Sequence, residues 1–164
     1  MRPELPLVDR MKFVTGCAPA ALTSTAGDGD YVSMKNYSHL TILIAVLNGN
    51  TVTGGAVTLL QAKTVAAGSA KALSFSKMWA NIDCAAGDTL TETAVVSDTF
   101  TTDTTNAKQL MYIIEVEATD LDVNNDFDCV RIDVASMANA VGSVTYILHG
   151  ARYQSPLAIS AITD

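Results

Sequence analysis

An all-β fold is predicted by three features of the chain, with an antiparallel β-sandwich of jelly-roll-like form preceded by an extended N-terminal arm. From Tyr31 onward, short β-branched runs are separated by clusters of Gly, Asn and Asp. Within those runs apolar residues recur at alternate positions, which places them on one face of a strand. No heptad, useful helical period or internal repeat competes with that reading. Several such strands without a helix must bury their apolar faces sheet on sheet.

Residues 1–28 are set apart by Pro3, Pro6 and Pro19, which interrupt any helix, and by the small, polar, glycine-bearing stretch from Ala18. This arm carries more apolar side chains than a free tail tolerates. Leu5, Leu7, Val8, Met11 and Phe13 are therefore its candidate assembly residues, expected to lie across another protein rather than in the subunit's own core. The sandwich itself is assigned to residues 29–154 and a C-terminal tail containing Pro156 to residues 155–164.

Each strand follows from its alternation. His39 to Leu47 sets Leu40, Ile42, Ile44 and Val46 against Thr41, Leu43, Ala45 and Leu47, both faces apolar enough for a central strand covered on both sides. Asn48-Gly49-Asn50 then supplies a turn, and Val57 to Ala62 reads as the partner strand of a hairpin, with Gly54-Gly55 marking a bulge or close approach. In Lys71 to Ile82, Leu73, Phe75 and Trp79 are expected inside and Ser74, Ser76 and Met78 outside. The threonine-rich stretch within 83–99 reads as edge strand. Met111 to Ala118 alternates Tyr112, Ile114 and Val116 with Glu115 and Glu117, whose face should meet solvent or a partner. Phe127 to Val134 reads as a hairpin with it, placing Val130 and Ile132 inside. Val144 to Tyr153 closes the sheet with Val144 and Tyr146 inward.

Composition narrows the function. A chain of 164 residues, 49% hydrophobic and 16% charged, suits one soluble domain and argues against disorder, while its longest apolar run is strand-sized and too short to cross a bilayer. The net charge of -7, with its Lys and Arg scattered, offers no basic face for nucleic acid. Neither nucleic acid nor membrane is an expected partner. Cys17, Cys84 and Cys129 are odd in number and lack CxxC spacing, so no disulfide framework or zinc motif follows, and reduced thiols in a protein assembled in the cytoplasm fit best. The first residues lack the apolar core of a secretory signal.

Catalytic patterns are missing. His39 and His149 stand in or beside strands without a local nucleophile, and no G-x-S-x-G elbow occurs. The loop Asp120-x-Asp122-x-Asn124-Asn125-Asp126 opens like a calcium loop, yet has Asn125 at its sixth position and Arg131 at its twelfth, where Gly and a bidentate Glu belong. Its Asx side chains are expected to satisfy their own turn backbone. Neither Gly27 to Gly29 nor Gly54-Gly55 has a phosphate-loop pattern. Glu115 and Glu117 share a face as a glycosidase pair might, but Trp79 is the one tryptophan available as a sugar platform. The expectation is no enzyme activity, no catalytic or metal residues and no cofactor.

Six segments together carry a resemblance: Lys35-Asn36-Tyr37-Ser38-His39-Leu40-Thr41, Lys71-Ala72-Leu73-Ser74-Phe75, Ile114-Glu115-Val116, Leu121-Asp122, Phe127-Asp128-Cys129-Val130-Arg131 and Gly150-Ala151-Arg152-Tyr153. From about Tyr31 onward the chain resembles small virion structural proteins of tailed bacteriophages, of the capsid decoration or cement kind. The resemblance implies a β-rich, non-enzymatic protein that forms homotrimers and sits on the outside of the capsid, bridging major capsid protein subunits. No binding residues carry over from it. Two other readings remain open: a neck, tail or fibre component, and a carbohydrate-binding sandwich.

Overall fold

In the computed structural model, residues 6–23, 29–152 and 160–163 are described. After a single helical turn, α1 (Leu7–Arg10), eleven strands follow among these residues: β1 (Lys12–Ala21), β2 (Val32–Ser33), β3 (Tyr37–Asn48), β4 (Ala56–Ala62), β5 (Lys71–Ala72), β6 (Phe75–Asn81), β7 (Thr91–Ser97), β8 (Thr99–Thr101), β9 (Gln109–Glu117), β10 (Cys129–Val134) and β11 (Ala140–Ala151). One sheet runs β1-β11-β3-β9-β6-β7 and the other β2-β10-β4-β5, with β8 also on β4. Every pairing is antiparallel. Without β6, β7 and β8, the order is that of a jelly roll, two four-stranded sheets between which the chain crosses at every step but β4 to β5. The β6-β7 hairpin widens the first sheet beyond β9.

The inward alternation seen in the sequence fills the space between the sheets. Leu40, Ile42 and Ile44 of β3, Ile114 and Val116 of β9 and Tyr146 of β11 meet Val57 and Leu59 of β4 and Val130 and Ile132 of β10, all fully buried or nearly so. Leu73, Tyr112 and Val144 are buried with them, as expected. Each fully buried side chain of this size contributes about 1.5–3 kcal/mol relative to exposure.

Four expectations are corrected. Strands β3 and β4 do not form a hairpin, and neither do β9 and β10, because the two members of each pair lie in opposite sheets. Gly54, at φ +69°, turns the chain between them. In β6 the register with β7 slips between Phe75 and Lys77, β7 carrying the extra residue, and the burial phase changes there, so Met78 is buried while Trp79 turns to the outer face and Phe75 is half-buried. The sandwich starts before residue 29: Lys12–Ala21 pairs with β11, and Cys17 and Leu22 are buried in the core. In the C-terminal tail, Ala161 is fully buried and its carbonyl accepts the Ser33 N–H at 2.7 Å.

Candidate functional site

Strands β1, β11, β3, β9 and β6 each turn one set of side chains outward, and register decides which of these are neighbours. Thr145, Leu43, Ile113 and Trp79 lie side by side across four strands, as do Phe13, Ile147, Thr41 and Glu115 in the next row. Leu43, Ile113, Ile147 and Trp79 are half-buried and Phe13 is 44% exposed. Toward the far end of the same face, Leu47 and Val141 are 50% and 44% exposed. Strand β3 is central, as expected, but the expectation that it is covered on both sides is not met: none of the described residues forms a layer over its outer face. The other sheet differs, since its outer side carries an Arg131–Asp133 ion pair at 3.6 Å and a Thr58–Thr99 hydrogen bond at 3.0 Å.

Of the predicted assembly residues, Leu5 lies outside the described residues. Leu7 and Val8 sit on α1, 54% and 65% exposed, Met11 is half-buried, and Phe13 stands opposite Ile147 at the edge of the apolar face. The structure therefore brings Phe13 to a wider apolar surface that the arm alone did not reveal. Its signal was in the sequence, in the outward Leu43, Ala45 and Leu47 of β3.

One end of this face is polar. His39 and His149 are directly opposed on β3 and β11, their ring centroids 4.5 Å apart. The Nε2 of His39 lies 2.5 Å from Oε2 of Glu115 on β9, and the same oxygen accepts a hydrogen bond from Thr41 Oγ1 at 2.8 Å. Thr41 Oγ1 is in turn 3.5 Å from His149 Nε2. Partial burial pushes the His149 pKa below its ordinary value, with the nearby His39 acting in the same direction and Glu115 opposing both. The shift favours the neutral imidazole at His149. Beside this cluster runs a groove of about 740 Å3, lined among others by His39, Glu115, Glu117, Lys77, Trp79 and Phe75. Sequence reasoning took the two histidines singly, since nothing local links residues 39, 115 and 149.

The acidic loop is engaged internally. Asp120 accepts the Glu117 N–H at 2.8 Å, and Asp122 accepts both the Asn125 side-chain amide at 2.9 Å and the Lys71 ammonium. Asp126, at φ +64°, closes the turn. Cys17 and Cys129 are buried and Cys84 half-buried. No helix among the described residues is long and apolar enough to cross a membrane.

No family model matches the chain. Nor does any curated protein. Among solved structures, the chain is similar to the crystal structure of the SPBc2 prophage-derived protein YomS, at a TM-score of 0.47 and 16% identity, over 84% of this chain and 91% of that one.

Proposed function

We propose that the chain is a non-enzymatic structural protein of a tailed-phage virion, which binds the outside of the capsid as a homotrimer and stabilises it by bridging major capsid protein subunits. The observation that supports this most is the outer face of the six-stranded sheet, where Leu43, Ile113, Ile147 and Trp79 form an apolar patch continued by the exposed Phe13. Contiguous apolar surface of this kind on a soluble protein marks an interaction site. A symmetric oligomer uses the same patch in every copy, so a small subunit gains a large total interface. The resemblance of its strand sequences to decoration proteins points to the capsid as the partner. Such a protein meets no genome, and its acidic charge and lack of a basic face agree with an external position.

The experiment is reconstitution. Purified chain is added to expanded capsids lacking it, and the particles are imaged and tested for heat resistance. Saturable binding at symmetry-related sites between capsomers, with a raised disruption temperature, is the expected result. Density confined to the neck, tail or fibres would replace this reading by a different virion position.

A carbohydrate-binding sandwich is the second reading, favoured by Trp79 lining the groove together with Glu115 and Glu117. Saturable binding of a glycan by the isolated chain, lost in Trp79→Ala, would establish it.

A further inference from the structure

We propose that His39, His149 and Glu115 form a binding site for one divalent transition-metal ion of the zinc class, open on its outer side. The chain contains two histidines in 164 residues, and the fold brings both to directly opposed positions on adjacent strands. Glu115 joins them from the third strand. One ligand atom from each of the three lies within 4.8 Å of the others. Zinc bonds of about 2.0–2.2 Å in tetrahedral array set neighbouring ligand atoms roughly 3.3–3.5 Å apart, so small side-chain rotations close the set around an ion. The backbone needs no adjustment, because β9, β3 and β11 are continuously hydrogen-bonded at the centre of the sheet.

Donor chemistry selects the ion. Two imidazoles and one carboxylate suit zinc and its neighbours, whereas calcium and magnesium require oxygen-rich sets. The supporting groups are also in place, since Thr41 donates to Glu115 Oε2 and holds that carboxylate toward both rings. Among the described residues, His39 is the ion-pair partner of Glu115, while the nearby Lys77 pairs with Glu92 at 3.6 Å and stands over the Trp79 ring. Among the described residues no lysine or arginine pairs with the Glu115 carboxylate, which meets the His39 ring and Thr41 and has a ligand atom within 4.8 Å of both imidazoles. With three protein ligands, the fourth position faces outward beside the groove, where water or a side chain of a docked protein completes the coordination.

The test uses the full chain, free of any histidine tag and stripped with a chelator, titrated with Zn2+ alone by calorimetry and with Co2+ by visible absorption. One ion per chain is expected, with the d–d bands of a four- or five-coordinate cobalt site. His39→Ala, His149→Ala and Glu115→Gln should each weaken Zn2+ binding about tenfold or more, and Thr41→Val by a smaller factor. Asp122→Asn, in the acidic loop, should leave it unchanged. Histidine-ring NMR on the unsubstituted protein supplies a reading independent of how the variants fold, because Zn2+ should shift the Nε2 signals of both rings together. Lack of binding, binding retained by the three variants, or a response from one ring only would overturn the site.

Discussion

The phenol oxygen of Tyr146 on β11 accepts the backbone N–H of Ile132 on β10 at 2.9 Å, joining the two sheets through the middle of the core. Strand β2 pairs with β10 at Cys129 and Val130 but ends before Ile132, so the hydroxyl takes the place of a missing strand neighbour. Just beyond, Gly29 donates its N–H to the Ile132 carbonyl at 3.0 Å, and a Cβ at Gly29 would fall 2.7 Å from both that oxygen and the Tyr146 hydroxyl. Burial also drives the Tyr146 pKa strongly upward, which keeps the phenol protonated.

Tyr146→Phe should therefore destabilise the fold beyond the loss of one hydrogen bond, because the Ile132 N–H is left buried without a partner. The expected cost is about 1–3 kcal/mol, read by urea denaturation with an unchanged m-value.

Gly150 has φ +65°, and a Cβ there would meet Ser38 Oγ at 2.0 Å. Gly150→Ala should cost on the order of 1–3 kcal/mol from the left-handed backbone and the displaced serine. Amide exchange should show the loss concentrated where Ala151 of β11 pairs with Tyr37 of β3.

The hydrogen bonds from Lys71 and Asn125 hold the Asp122 carboxyl below its ordinary value of 3.8. A depressed carboxylate stabilises the fold at pH above its unfolded value, and that contribution is lost as pH falls through the folded one. Carbon-detected NMR titration should give Asp122 a midpoint under 3.8, moving back up in Lys71→Met. A midpoint unmoved by that substitution would show that the lysine contact is not formed in solution.

The triple variant Leu7→Ser, Val8→Ser, Phe13→Ser changes exposed side chains, so each site should shift stability by no more than about 0.5 kcal/mol. Sedimentation should nevertheless show weaker self-association, and capsid binding should fall with it. Removing residues 1–11 is the matching truncation, since it spares β1. Full retention of both properties would remove these residues from the assembly surface.

Strands with uninterrupted alternation were legible in the sequence: β3, β9, β10 and β11 place Ile42, Ile114, Ile132 and Tyr146 in the core as their spacing requires. Strand β6 was not, because its register against β7 slips between Phe75 and Lys77, where β7 carries the extra residue, and no side-chain pattern in β6 marks that slip. Pairing was misread where short turns suggested hairpins, since the partner of a strand depends on the topology of the entire sandwich. The histidine cluster was illegible for the same reason: His39 and Glu115 are 76 positions apart and become neighbours through the pairing of β3 with β9. Phe13 and Leu43 were visible as apolar residues, but their common surface required the register of β1, β11 and β3.

The place of β11 between β1 and β3 bears on how the chain reaches this state. The strand in the interior of the larger sheet is also the last of the eleven to be synthesised, so β1 and β3 emerge from the ribosome with a gap between them. Until β11 fills it, Leu40, Ile42 and Ile44 lack their full cover and the edges of both strands remain open. Pairings this distant in sequence make folding slow and leave the nascent chain prone to association with its own copies. High-level synthesis should therefore give better yields when translation is slowed or a holding chaperone is supplied, and a circular permutant that places β11 ahead of β1 should refold faster than the natural order.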